Sequence, residues 1–364
     1  MTNNTDHPQA ETPAWNGTAA LASLPIAIDA MGGDKAPGIA VEGAVEAARA
    51  YGAAILLVGR RAAIEGELAK HQTAGLHLEI VETDEVIEMN EHPSQALRKK
   101  PRASLKLAID LVRDGKACGA FSAGNSGAIM AAALFSLKRM PGIDRPAAGS
   151  VFPTRTGVTF LIDMGANAEC KPAYLVQFAA MGVAYMRLAF GLADPSVGLL
   201  SNGEEEGKGT PLVHEVRELL AASPLNFKGA VEGNDVPAGV VDVVVTDGFS
   251  GNVLLKAAEG TASTILDILR EELSSSLRAK IGAALAMPAL RKVGKRLDFE
   301  EYGGAPLLGV NGIVLILHGR SGPRSVKNAV RLAQQMARQD LIGAIGKEIG
   351  RVESSRAATP SGVE

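Results

Sequence analysis

The chain has 364 residues, 21% of them charged and 46% hydrophobic, with a formal net charge of -3. This balance excludes a disordered or fibrous chain and offers no global basic field to a nucleic acid; with aromatic residues at 4% there is no stacking platform for bases. Two cysteines, Cys118 and Cys170, exclude a disulfide framework and a cysteine zinc site, and a reducing cytoplasm is the simplest compartment.

Residues 1–24 read as a disordered leader, with no basic n-region and no long apolar core. No run of about 18 apolar residues points to a bilayer span. From Pro25 onward the pattern alternates. Residues 26–28 predict a buried strand, 37–51 an Ala-rich helix, 54–58 a strand, 61–70 a helix and 78–81 a strand. A helical region follows over 94–113, then a strand over 117–121 and a helix over 125–137. Residues 148–152 and 158–162 read as paired strands, and 174–192 as a long apolar helix. Strands at 197–200, 227–231 and 240–246 flank a helix at 211–221. Residues 253–273 are helical, 313–317 form a strand, 325–349 the last helix, and 351–364 a tail. Short β-branched strands alternating with helices argue an α/β fold with a mainly parallel sheet flanked by helices. No Pro/Ser/Gly linker divides residues 25–350, which read as one large unit.

Six turns could carry chemistry: 29–37 (DAMGGDKAP), 122–127 (SAGNSG), 163–167 (DMGAN), 201–210 (SNGEEEGKGT), 247–252 (DGFSGN) and 318–322 (HGRSG). In an open α/β sheet, ligands sit outside the carboxyl ends of strands, where helix N-termini offer ~0.3–1 kcal/mol each toward an anion. Glycine lets the backbone approach that ligand. The set predicts a bound anion, most simply phosphate. Its candidate binding residues are Gly32, Gly33, Asp34, Gly124, Asn167, Asn202, Gly203, Asp247, Gly251 and Asn252. The plain alternatives are ordinary turns, a helix cap at Asn125–Ser126, and a solvated charge run at 204–208. Residues 203–210 miss the Walker A spacing by one residue and lack its Ser/Thr. No G-x-S-x-G elbow and no zinc-spaced His pair occurs, and of the six histidines only His318 stands at a strand end. An anion cradle without an evident protein nucleophile suggests that the anion itself attacks.

Five of these turns, together with 301–309 (EYGGAPLLG), resemble in order the bacterial phosphate acyltransferase PlsX family. The resemblance implies conversion of acyl-[acyl-carrier protein] and inorganic phosphate to acyl phosphate and free carrier protein, for phospholipid synthesis. It implies a fold of the isocitrate/isopropylmalate dehydrogenase and phosphotransacetylase type, a homodimer, and no metal or organic cofactor. Ser126 stands where Thr is usual, and Arg320 where a small residue is usual. On this reading the catalytic candidates are Asn125, Ser126, Lys208 and His318. Little base help is needed, because phosphate is already an anion and a thioester leaves as a thiolate whose thiol has a pKa of ~8.5. A rival reading is a metal-dependent dehydrogenase of related fold, with Asp29, Asp163 and Asp247 on Mg²⁺. A third is a non-catalytic adaptor.

Two charged segments suggest partners. Arg98, Lys99, Lys100 and Arg102 form a candidate docking patch for an acidic carrier protein. Residues 277–297 contain six Lys/Arg and no acidic residue. Pro288 predicts a break there, with two short helices meeting at an apolar tip over 286–290 and Leu285, Met287 and Leu290 as membrane contacts. The protruding basic and apolar hairpin is expected at about 273–300, and dimer packing is the alternative use of its apolar faces. The expectation is a cytoplasmic enzyme touching the inner face of the membrane, where a membrane acyltransferase uses the acyl phosphate.

Overall fold

The computed structural model describes residues 21, 23–155, 157–296 and 299–358. Apart from Leu21, Ser23 and Leu24, the expected leader lies outside them. The elements run β1 (Ile26–Asp29), α1 (Gly38–Tyr51), β2 (Ile55–Gly59), α2 (Arg61–Leu68), β3 (Leu78–Glu82), α3 (Pro93–Lys99), α4 (Ser104–Arg113), β4 (Gly119–Ser122) and α5 (Ser126–Leu137). Next come β5 (Ala147–Pro153), β6 (Val158–Ile162), α6 (Pro172–Phe190), β7 (Ser196–Leu200), α7 (Pro211–Ala221), β8 (Asn226–Val231), α8 (Asp235–Ala238) and β9 (Val243–Val245). The last are α9 (Gly248–Ser274), α10 (Leu277–Arg296), β10 (Ala305–Leu308), β11 (Val314–Ile316), α11 (Pro323–Arg338) and α12 (Leu341–Ala358).

The strands form an 11-stranded sheet in the order β3-β2-β1-β4-β11-β10-β5-β6-β9-β7-β8. Strands β3, β2, β1, β4 and β11 are parallel, as are β6, β9, β7 and β8. Between the two groups, β10 pairs antiparallel with β11 and β5, and β5 pairs antiparallel with β6. Three reversals leave the two parallel halves running in opposite senses. Side-chain alternation along the strands feeds two faces. Ile26 and Ile28 join a core with α1, α6, α11 and α12, whereas Ala27 joins one with α4 and α5. Helix α6 is long and apolar enough to cross a membrane, but Phe178 through Met186 are buried in the first of these cores.

Several boundaries differ from the sequence expectation. The helix predicted over 94–113 is two helices, because Pro101 has no N–H and forces Lys100 out of the helical region (φ -123°, ψ 71°). The last helix also divides. Asp340 takes a left-handed φ of 53° and its Oδ1 accepts from the Gly343 N–H, starting α12, which runs to Ala358 through most of the expected tail. Strand β10 was hidden in a Gly/Pro-rich turn. The hairpin is larger than expected and is made by α9 against α10, turning at Ser275–Ser276. Helix α10 carries Pro288 without dividing, so Leu285, Met287 and Leu290 lie along it and not at a tip. Beyond Leu255 no described residue of the hairpin is buried.

Candidate active site

The turns of the first half lock together. The Ser122 hydroxyl donates to Asp29 Oδ2 at 2.6 Å, the Gly124 N–H donates to Ser122 Oγ at 2.9 Å, and the Asp34 N–H donates to the Gly319 carbonyl at 2.9 Å. Gly32 has no room for a side chain, since a Cβ there would stand 2.6 Å from Ser122 Oγ and 2.7 Å from Gly124 N. Burial pushes the Asp29 carboxyl up, against hydrogen bonds that lower it. Asn125 caps α5 as its sequence predicts, its Oδ1 accepting from the Ala128 N–H at 3.0 Å. Its Nδ2 donates to the carbonyls of Met89 and Glu91, both at 3.0 Å. Both amide hydrogens are thereby engaged, so the side chain has no donor left for an oxyanion.

The turns of the second half are organised by Asp163. This carboxylate is fully buried and accepts five N–H groups: Ala148, Gly165 and Ala166 on Oδ1, and Asn167 N and Nδ2 on Oδ2. Asn167 Nδ2 also reaches the Pro146 carbonyl at 2.8 Å. Helix α9 sits directly on this turn. The Gly248 N–H donates to the Asn167 carbonyl at 2.8 Å, and a Cβ on Gly251 would stand 2.0 Å from the Asp163 carbonyl oxygen. Asp247 caps α9 through the Ser250 N–H and hydroxyl, both at 2.8 Å.

Between the halves lies a cleft of about 570 Å³. Ser126, Asn252 and His318 line it, so these predicted residues do converge. Ser150, Gly165, Lys256, Glu259, Tyr302, Arg320, Ser321 and Ser325 line it too. Gly32 and Gly33 instead border a separate space of about 10 Å³, room for one water at most. Asp34, Gly124, Asn125, Asn167, Asp247 and Gly251 shape the turns around the cleft without lining it. Asn202, Gly203 and Lys208 sit on the turn after β7, also outside its lining, with Lys208 exposed. Sequence reasoning missed Lys256 and Glu259. The available signal was helical spacing, since positions 252, 256 and 259 share one face of α9.

His318 has a defined polarity. Its Nδ1 accepts from the Arg320 backbone N–H at 3.1 Å, which places the proton of the neutral ring on Nε2. Partial burial and the charges of Lys256 and Arg320 hold its pKa below the usual 6.5, so the ring is neutral at pH 7. Lys256 Nζ lies 3.2 Å from Glu259 Oε2. The cleft thus presents two cations, one of them paired with Glu259, a neutral N–H donor, several hydroxyls and the N-terminal side of α5. That set suits a phosphate and a carbonyl oxygen that becomes negative. The Mg²⁺ reading has no such support. Among the described residues no three His, Cys, Asp or Glu side chains cluster to hold a metal, and the five N–H donors fill both oxygens of Asp163.

Residues 24–343 match the family model described as "Fatty acid synthesis protein". Proteins named phosphate acyltransferase are similar over most of the chain. That of Pelobacter propionicus is 50% identical over 313 residues, covering 86% of this chain and 90% of its own. That of Pelotomaculum thermopropionicum is 50% identical over 330 residues, covering 91% and 96%. Solved structures of a phosphotransacetylase from Streptococcus pyogenes (TM-score 0.58, 19% identity, 88% of this chain and 94% of that one) and of EutD phosphotransacetylase from Staphylococcus aureus (TM-score 0.55, 17% identity, 88% and 98%) share the fold.

The tethers of Asn125 yield a stability prediction. Asn125→Ala removes the cap of α5 and both ties to the Met89–Glu91 segment, and is expected to lower unfolding free energy by about 1–2 kcal/mol in urea titration. Asn125→Ser keeps a cap acceptor and loses the ties without setting a charge against the Met89 and Glu91 carbonyls, so a smaller loss is expected. Equal losses in the two variants would assign the whole effect to the ties.

Proposed function

The chain belongs to the phosphate acyltransferase family, and from that premise we propose that it transfers the acyl group of acyl-[acyl-carrier protein] to inorganic phosphate, supplying acyl phosphate for phospholipid synthesis. The observation that carries this reading is the convergence of Ser126, Asn252, Lys256, His318 and Arg320 on one cleft between the sheet halves. In the reaction a phosphate oxygen attacks the thioester carbon and a C–O bond forms. The tetrahedral intermediate collapses, the C–S bond breaks, and the departing thiolate takes the proton that hydrogen phosphate gives up. Lys256 and Arg320 hold the phosphate, and Ser126 with the α5 N-terminus fixes its orientation, a contribution of up to ~7–11 kcal/mol. The Nε2–H of His318 donates to the developing oxyanion, worth ~3–4 kcal/mol for a well-placed donor. No proton need leave the ring, and the neutral form that donates from Nε2 is the one whose Nδ1 can accept from the Arg320 N–H. Lys208 is exposed on the turn after β7, outside the cleft lining, and its proposed part is to attract phosphate as a point charge on a long side chain.

The carrier protein is proposed to dock on Arg98, Lys99 and Arg102, all exposed at the end of α3 and the turn after it. Lys100 drops out of the expected patch, because its Nζ donates to the Val86 carbonyl and to Glu91 Oε2, both at 2.6 Å. The cytoplasmic face of a membrane is the proposed place of work, with a membrane acyltransferase as the next user of the lipophilic product. Leu277, Ile281 and Leu285 support a bilayer contact. They stand four residues apart on α10, are 75%, 56% and 81% exposed, and are flanked by Arg278, Lys280, Arg291 and Lys292. A homodimer is proposed as well, sharing these faces between subunit packing and lipid.

The direct test is incubation with an acyl-carrier protein thioester and phosphate, with acyl phosphate detected by mass. Absence of acyl phosphate from folded protein would overturn the reading. His318→Gln is expected to lower turnover about 100-fold. The wild-type to variant ratio of kcat/KM should fall as pH drops through the pKa of His318, below 6.5, because protonation takes Nδ1 away from the Arg320 N–H. A ratio independent of pH would remove His318 from the chemistry. Lys208→Ala is expected to raise the phosphate KM while leaving that of the thioester in place. Leu277→Glu combined with Leu285→Glu should abolish flotation with phosphatidylglycerol vesicles, and undiminished flotation would dismiss the α10 stripe as a lipid contact.

A further inference from the structure

The same cleft carries a second, apolar surface that phosphate chemistry does not use. Met130 and Met164 line it beside Leu255, Ile316 and Leu317. The last three are 5%, 8% and 3% exposed, so they form a fixed wall. The two methionines are only partly buried, and both pack on the core behind α5. Met164 also packs on the second-half core that contains Leu255, Val244 and Leu161. The wall therefore spans both halves of the sheet.

Helix periodicity sets its direction. Ser126 and Met130 are four residues apart on α5, so they share a face, with Met130 one turn further from the helix N-terminus. Asn252 and Leu255 are three apart on α9 and both line the cleft. A thioester carbonyl placed against Ser126 and His318 has Met130 as the next side chain along α5. Met164 and Leu255 face it from the other half.

Resting on the acyltransferase reading above, we infer that Met130, Met164 and Leu255 form the subsite for the saturated chain of the acyl donor, and that the two methionines set its length preference. Thioether side chains are unbranched and change rotamer cheaply, so they fit chains of several lengths against the fixed Leu255 side. The subsite accordingly accepts a range of chains and has an upper limit where the methionine space ends.

Turnover of octanoyl, lauroyl, palmitoyl and stearoyl thioesters by the full chain tests this. In Met130→Trp and in Met164→Trp the palmitoyl to octanoyl ratio of kcat/KM is expected to fall about tenfold or more, as a filled apolar pocket discriminates by methylene count. The phosphate KM is expected to stay in place. In Met130→Ala, a variant that adds space and carries no overpacking risk, the optimum should move toward stearoyl. Length profiles unchanged in the active variants would overturn the subsite and leave the acyltransferase reading standing. If the wild type turns over none of the thioesters, the acyltransferase reading itself fails. Competition of free fatty acids of the same lengths against a bound fluorescent fatty acid then reads the subsite alone. A wild-type length profile that the Ala and Trp variants shift in opposite directions supports it, and equal profiles overturn it.

Discussion

One buried carboxylate holds the second half of this molecule to its active cleft. Asp163 has no solvent exposure, and an anion taken out of water at that depth costs several kcal/mol unless its lone pairs are met. Five N–H groups meet them, and no acceptor competes. Each donor belongs to a part that must stay in register: Ala148 to β5, Gly165 to the cleft lining, Ala166 and Asn167 to the turn. Asn167 passes the order on, its carbonyl receiving the Gly248 N–H at the first residue of α9. Asn252, Leu255 and Lys256 reach the cleft from that seat.

The sheet supplies the other constraint. Its parallel halves run in opposite senses, and only the antiparallel strands β10 and β5 join them. A single parallel sheet would gather its active turns outside one set of carboxyl ends. Here two sets exist, and the cleft forms where turns from both reach the central strands. The first half brings Ser126, His318 and Arg320. The second brings Asn252, Lys256 and the apolar Leu255. Both halves thus bring polar and apolar side chains to the same space, Ser126 and Met130 from one and Lys256 and Leu255 from the other.

The hairpin has a different status from the rest. Its two helices leave the core after Leu255, and Ile265, Ile268, Leu277, Ile281 and Leu285 on them stay more than half exposed. Contiguous exposed apolar surface on a protein with a packed core marks an interaction site. Arg278, Lys280, Arg291 and Lys292 stand among these apolar side chains.

Much of the architecture was legible in the chain itself. β-branched strands alternating with amphipathic helices dictated an α/β fold, and Asn125 announced the cap that begins α5, whereas the cap at Asp247 and the first turn of α9 were not read from the chain. The ordered turns DAMGGDKAP, SAGNSG, DMGAN and DGFSGN indicated the family. These signals are local, carried by hydrogen bonds and side-chain periodicity within a few residues. Other features depended on partners distant in sequence. Strand β10 contains Pro306 between Gly304 and Gly309 and becomes a strand only because β11 and β5 stand on either side of it. Pro288 stays within a helix that the sequence pattern would have broken. Asn125 resembles an oxyanion donor until the Met89–Glu91 segment takes both of its amide hydrogens. Lys256 and Glu259 look like surface charges on a helix until the opposite half of the sheet brings His318 and Arg320 to the same cleft. Sequence determined which groups were available. Tertiary packing decided which of them still had a free donor or charge facing the same space, because that depends on which distant backbone atoms arrive first to satisfy them.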